Sequence, residues 1–524
     1  MEDLIIRGGT VLDGTGAPGF RADVAVTGDR ITAVGDLSGR KAARELDAGG
    51  LAVAPGFFDA HCHSDTSFVR DSSHAAKLYQ GITTEVCGQC GYSPYPYPAE
   101  KADGDGWRCA SFADYARRLD SGRWPMGTNL APLVGHGRIR ACVADYDDRP
   151  VTAGELEEMK RILRRELEAG AWGMSLGLEY SPGCFASREE LRELGAVVRE
   201  FDGLLTAHLR NEGALLPQAI EELLSVGRDT GVHVHVSHLK IDDFRHHGKA
   251  PEIWKILEDA RAQGINVTQD MYPYTASSTG LTNRVPKWAL EGGDAAVEQV
   301  LAGPRRQEVL DFIREKYYFN AERAETALIS DEHGFWPEIR GKTLRQVAEE
   351  LLHTDDYAEA AAEILTRTHG SADGIFFVMS EEDMLYFLGK DVSVCSDGSA
   401  YPIDPAKMDS LPHPRSYGAI AEFFRLAREK RLCTPEEAVR RVTWKAARML
   451  GMTDRGLLKP GLAADITVFD PASIAPQSTY LDPIRPAKGV AHVVLNGAVA
   501  LENGVQTDLR AGRLLRRTYD KKTR

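Results

Sequence analysis

At the start of the chain apolar and polar residues alternate in short runs broken by Gly, Asn and Asp, as in LIIRGGTVLDGTG, ADVAVTGDRITAVGD and LAVAPGFFD. Period-two alternation punctuated by turn formers predicts antiparallel strands. The same texture returns near the end, in GLLKPGLAADITVFDP and VAHVVLNGAVALENG. Two strand-rich ends around a long middle predict a small β-sandwich domain built from both termini, residues 1–55 with 455–524.

The middle alternates differently. Short, mostly apolar runs (GFFDAHCH at 56–63, TTEVCGQ, TNLAPLVG, WGMSLGL, LLTAHLR, HVHVSHL, NVTQDMY and VSVCSDG at 392–398) are separated by segments of helical period. In AGELEEMKRILRRELEAG, Leu156, Met159, Leu163 and Leu167 fall on one face. A second helix starts at Ser187 with Glu190 three residues on, the pattern of a capping box. A third, PEIWKILEDARAQG, carries Pro251 near its start and Gly264 just past its end. Strand–helix alternation of this length predicts an α/β fold, a (β/α)8 TIM-like barrel over 56–454. The gap between the seventh and eighth strands is too long and too helical for a loop, as DDYAEAAAEILTRTH illustrates. An inserted helical subdomain is expected there, over 285–389.

Residues two apart on a strand share a face. His61 and His63, in GFFDAHCHSD, therefore point together at the end of the first barrel strand, and Cys62 points away. Active sites of such barrels sit at this end, and two imidazoles converging there predict a divalent metal. His208 ends LLTAHLR. In HVHVSHLK, parity groups His238 with Val232, Val234 and Val236, so His238 is the candidate and His233 and His235 are packing residues. Asp397 ends VSVCSDG, where a carboxylate can serve as ligand and base. Cys87 and Cys90 have no second pair of matching spacing, which argues against a structural zinc knuckle. One thiolate there would complete a His/Cys set that suits zinc, and spacing alone does not choose between the two.

Composition narrows the partners. The chain has 524 residues, 43% hydrophobic and 27% charged, with a formal net charge of −14. That balance argues against nucleic acid or an anionic membrane, and any anionic substrate must be met by locally gathered cations. The N-terminal segment does not read as a signal peptide, and no apolar run is long enough to span a bilayer. Eight cysteines at irregular spacing read as free thiols, so a cytoplasmic location is expected.

Taken in order, GFFDAHCHSD, GQCGYS, TAHLRNEG, VSHLK, DMYPYTASSTGL and the CSDG and HPRSYG segments resemble the N-acyl-D-amino-acid deacylase (D-aminoacylase) family of the metal-dependent amidohydrolase superfamily. The resemblance covers nearly the whole chain. It implies zinc held tightly by Cys90, His208 and His238, and a weaker second position near His61 and His63 that Cys90 bridges. It implies Asp397 as the catalytic aspartate, with Lys240, Arg415, Tyr272 and Ser278 at the substrate carboxylate. Relatives acting on N-acyl-D-glutamate carry an arginine in the region of Arg284, so Arg284 is expected to pair with an acidic substrate side chain. Glu179 and Tyr180, after the fourth strand, are expected to shape the acyl pocket. The implied reaction splits a small anionic N-acyl-D-amino acid into a carboxylate and a free D-amino acid. Two departures, GQCG for GNCG and SHLK for a doubled histidine, remove no ligand. Cyclic amidases of the hydantoinase or dihydroorotase kind usually carry a carbamylated lysine on a middle strand, and WGMSLGLEY has none. A non-catalytic scaffold would show gaps in the ligand set, and there are none.

Overall fold

Eight parallel strands carry the middle of the chain: β1 (Phe57–Asp59), β2 (Ile82–Cys87), β3 (129–135, interrupted at Leu133), β4 (Gly173–Gly177), β5 (Leu204–His208), β6 (His233–Val236), β7 (Val267–Met271) and β8 (Ser393–Val394). The computed structural model describes residues 1–103 and 107–519; residues 520–524, the tail of the second terminal segment, lie outside the described residues. Neighbours in chain order are neighbours in space, each pair parallel. β8 returns to β1 through Ala60 N to Val394 O (3.4 Å) and Asp397 N to His61 O (2.9 Å). This is the circuit of a TIM-type barrel, and GMSLG and LLTAH are buried along their whole length, as strands covered on both faces must be.

The helices outside the strands follow their apolar stripes. Ala153–Glu168 opens on a capping box between Thr152 and Glu155 and buries Met159, Leu163 and Leu167. Arg188–Glu200 opens on Ser187, whose side chain accepts from Glu190 N, but the expected box is only half made. The Glu190 carboxylate turns inward to His136 Nε2 (2.8 Å) and to the guanidinium of fully buried Arg140. A buried cation without a partner costs far more than an open cap, so Arg140 takes the carboxylate.

Two other parts depart from expectation in detail. The stretch expected to be helical has helices such as Arg306–Lys316 and Tyr357–Arg367 around a core of its own. It also carries an antiparallel sheet in which Asp373–Phe376 lies between Ser277–Gly280 and Ala327–Asp331. Strands from the two ends of the chain form one nine-stranded sheet, because Ala52–Pro55 pairs antiparallel with Ile466–Phe469. Among the described residues no helix is long and apolar enough to cross a membrane.

Beneath the C-terminal ends of β1, β2 and β8 lies a buried charge cluster. Lys77, fully buried, sets its ammonium 2.7 Å from Asp59, 3.7 Å from Glu85 and 2.8 Å from Ser396 Oγ. Burial alone would raise the Glu85 carboxyl, but Lys77, His74 and Ser64 hold it at about 2. Asp59 is raised by burial, which Lys77 and Ser396 only partly offset. Replacing Lys77 by Met should leave two buried acids without their cation and cost about 3–5 kcal/mol. Urea unfolding of Lys77→Met beside the parent chain measures this.

Candidate metal centre and active site

The candidate residues come from the C-terminal ends of five strands. His61 and His63 follow β1, Cys90 follows β2, His208 ends β5, His238 lies just past β6 and Asp397 just past β8. Beyond the end of β1 the backbone stays extended between its neighbours, with Cys62 N bonded to Val86 O and His63 N to Gly398 O. Cys90, His238 and Asp397 have φ of 53°, 35° and 50°, the left-handed region that non-glycine residues seldom enter. Such conformations cost about 1–3 kcal/mol each and persist where the surroundings over-determine them. The Cys90 turn is pressed onto β4: a Cβ at Gly177 would sit 2.0 Å from Cys90 O, so only glycine lets the turn approach.

Three donor atoms converge. Cys90 Sγ lies 3.7 Å from His208 Nδ1 and 3.4 Å from His238 Nε2, and the two nitrogens are 3.0 Å apart. A tetrahedral zinc with bonds of about 2.0–2.1 Å to nitrogen and about 2.3 Å to sulfur sets its ligands about 3.4 Å (N···N) and about 3.6 Å (N···S) apart. The triangle matches those edges to within a few tenths of an ångström, and the donor set is one that zinc favours. Burial pushes the Cys90 thiol well up and the His238 imidazole well down. An incoming metal would thus meet a neutral imidazole and would have to displace the thiol proton.

A second group adjoins the first through the same sulfur. His61 Nε2 is 3.4 Å from Cys90 Sγ and 3.4 Å from Asp397 Oδ1, and His63 Nε2 is 3.1 Å from that oxygen. The other oxygen, Asp397 Oδ2, pairs with Arg415 Nη1 at 2.8 Å. Burial would raise the Asp397 carboxyl, but Arg415, His238 and the hydrogen bond from His63 hold it well below the usual range. Cys62 lies apart, with Asp59 and Glu85, where the Lys77 ammonium supplies the cation. Cys87 likewise faces Asp65, away from the histidines.

Carboxylates behind the histidines complete the site, and residue patterns alone do not reveal them. Glu179, expected at the acyl pocket, instead sets Oε2 3.1 Å from His208 Nε2. Glu212 sets Oε1 3.1 Å from His238 Nδ1, and Asp270 lies behind His61 and His235. The available signal was position: Glu212 stands four residues past His208 in TAHLRNEG, and Asp270 two before Tyr272 in QDMY.

A cavity of about 390 Å³ opens over the centre, and His63, Cys90, His238, Asp397, Tyr180, Ser278 and Arg415 are on its wall. Tyr272 is just beneath, with the Arg415 guanidinium 4.8 Å over its ring; its buried hydroxyl has no hydrogen-bond partner, and neither does Arg415 Nε. Lys240 and Arg284 are not on that wall. The Lys240 ammonium is turned inward, 2.6 Å from Glu212 Oε2 and 2.8 Å from His238 Nδ1. Arg284 lines a second, smaller cavity whose wall includes Glu179, its guanidinium stacked 4.2 Å from the Phe376 ring and 4.8 Å from that of Tyr317.

The profile of the family described as "Amidohydrolase family" matches residues 44–284 and 367–501. An N-acyl-D-glutamate deacylase of Alcaligenes xylosoxydans xylosoxydans is 37% identical over 524 residues, 98% of this chain and 96% of that one. A solved N-acyl-D-glutamate deacylase from Bordetella bronchiseptica, complexed with zinc and a phosphonate mimic of the tetrahedral intermediate, superposes with a TM-score of 0.82 at 34% identity, covering 98% of this chain and 100% of that one. A D-aminoacylase structure concerned with its binuclear metal centre, one-metal activation and second-metal attenuation, also gives 0.82 at 34% identity over 99% and 100% of the two chains.

The geometry separates the cysteines experimentally. Cys90→Ala is expected to lose tight zinc and Cys62→Ala to keep it, as metal analysis of the purified variants after dialysis would record.

Proposed function

The chain belongs to the amidohydrolase family, in its N-acyl-D-amino-acid deacylase branch, and we propose that it hydrolyses N-acyl-D-amino acids with zinc held by Cys90, His208 and His238. The convergence of that sulfur and two nitrogens, with edges that suit a tetrahedral zinc, carries the reading. A second, weaker metal position between His61, His63 and Cys90 is part of the proposal, supported by the sulfur that both groups share. Zinc supplies Lewis acidity toward the amide carbonyl and makes water a nucleophile near neutral pH.

The protein's own residues do the rest. Asp397, ionised and held between His63 and Arg415, accepts a proton from the attacking water. It then returns that proton to the departing nitrogen, because an amine anion is too basic to leave near neutral pH. The orphaned hydroxyl of Tyr272 and the free Nε of Arg415 are buried donors that a substrate carboxylate would satisfy. Ser278 lines the same wall. Lys240 joins them only if it turns from Glu212.

The side-chain preference proposed is for acidic groups. Burial works against the charge of Arg284, and Tyr318, Tyr317, Asp242 and Glu179 more than offset it. A buried guanidinium held between aromatic rings near Glu179, which itself contacts His208, suits a carboxylate of the substrate. The likeness to a protein named N-acyl-D-glutamate deacylase supports the same choice.

Chelation should abolish turnover and zinc should restore it, while Asp397→Asn should keep zinc and lose turnover; metal analysis with an N-acetyl-D-glutamate assay reads both. The kcat/KM for N-acetyl-D-glutamate should exceed that for N-acetyl-D-methionine. Arg284→Met should reduce the glutamate value at least about 30-fold, the scale expected for one partner of a buried charge pair. A parent enzyme that prefers the methionine derivative would sink the acidic preference.

A further inference from the structure

Glu212 lies on the loop after β5, 3% exposed, and reaches across to β6. One carboxylate oxygen is 3.1 Å from His238 Nδ1; the other is 2.6 Å from Lys240 Nζ and 3.5 Å from His208 Nε2. Lys240 Nζ is also 2.8 Å from His238 Nδ1 and is the hydrogen-bonded partner of that nitrogen here, with the Glu212 oxygen at ion-pair distance, so two groups compete for one ring nitrogen. They demand opposite tautomers. An ammonium donating to Nδ1 needs a lone pair there, which puts the ring proton on Nε2, facing Cys90. A carboxylate accepting from Nδ1 needs the proton there, which turns the Nε2 lone pair toward Cys90 and His208. Only the second arrangement lets Nε2 ligate a metal.

We propose that Glu212 is a positioning residue that fixes the metal-binding tautomer of His238 and diverts Lys240 from its ring. One oxygen, 3.1 Å away, would accept Nδ1–H in place of the Lys240 contact. The other holds the ammonium, which keeps a further bond to His238 O at 3.3 Å. This rests on the reading that Cys90, His208 and His238 bind zinc. His208 is served separately by Glu179, at 3.1 Å. A carboxylate behind a ligating imidazole typically contributes 10–100-fold in metal affinity.

Zinc affinity of the full chain, measured by competition with a chromogenic chelator, tests this in the parent, Glu212→Gln and Lys240→Met, with thermal melts to check folding. Glu212→Gln should bind zinc about 10–100-fold more weakly, and Lys240→Met within about threefold of the parent. Equal weakening in both variants would mean that Glu212 acts only through its ion pair with Lys240, and would overturn the proposal. Undiminished affinity in Glu212→Gln would overturn it too. A measurement on the parent needs no variant to fold: histidine nitrogen shifts of the metal-free protein, in which zinc does not itself dictate the tautomer, should show His238 protonated at Nδ1, and a bare Nδ1 contradicts the assignment. A parent that holds no zinc, or that holds it equally well as Cys90→Ala, would instead bring down the underlying site reading.

Discussion

The ammonium of Lys77, buried between Asp59 and Glu85, is the interaction on which the active end of the barrel depends. Asp59 closes β1 two residues before His61, and it also binds Ser396 N at 2.7 Å, next to Asp397. Glu85 lies in β2, and its carboxylate takes the hydroxyl of Ser64, which adjoins His63. One cation thus joins the strand ends that bear His61, His63 and Asp397. Without it the two acids would repel each other in a medium that screens poorly, against the backbone bonds that bring these strand ends together.

Above that base, the site is assembled by backbone that departs from regular strand. β8 contributes only Ser393–Val394 before the chain turns, and Asp397 enters the left-handed region immediately afterwards. Cys90 and His238 do the same past the ends of their strands. Each turn swings a side chain over the barrel mouth that a continued strand would have carried past it. The strain is local, and the close approach of Gly177 to Cys90 shows how tightly one of these turns is held.

Charge follows the same economy of space. A chain with net charge −14 buries several cations around this mouth, each engaged differently. Lys77 is neutralised within the framework and Lys240 by Glu212, while Arg415 serves Asp397 with one nitrogen and keeps another unpartnered. Arg284 is held by aromatic rings. Arg415 Nε and the Tyr272 hydroxyl thus remain as buried polar atoms without a partner close to Asp397.

Much of this was legible in residue order. Alternating strand and helix periods determine the barrel, and spacing by two separates Cys62 from His61 and His63, because strand faces alternate whatever the tertiary context. The motif series places histidines, cysteines and Asp397 at strand ends. Other features depend on contacts between residues far apart in the chain, which no local period encodes. Cys87 and Cys90 are equivalent on paper, and the turn between Gly88 and Gly91 decides which one meets the histidines. Glu190 reads as a cap until Arg140 claims it. Glu179 and Glu212 read as ordinary loop acids until folding sets them behind His208 and His238. The sequence by itself determined which donors exist and on which strand each stands. Only the tertiary structure decided which atoms converge and which acids orient them, because burial makes each buried charge or lone pair seek a partner from whichever strand lies within reach.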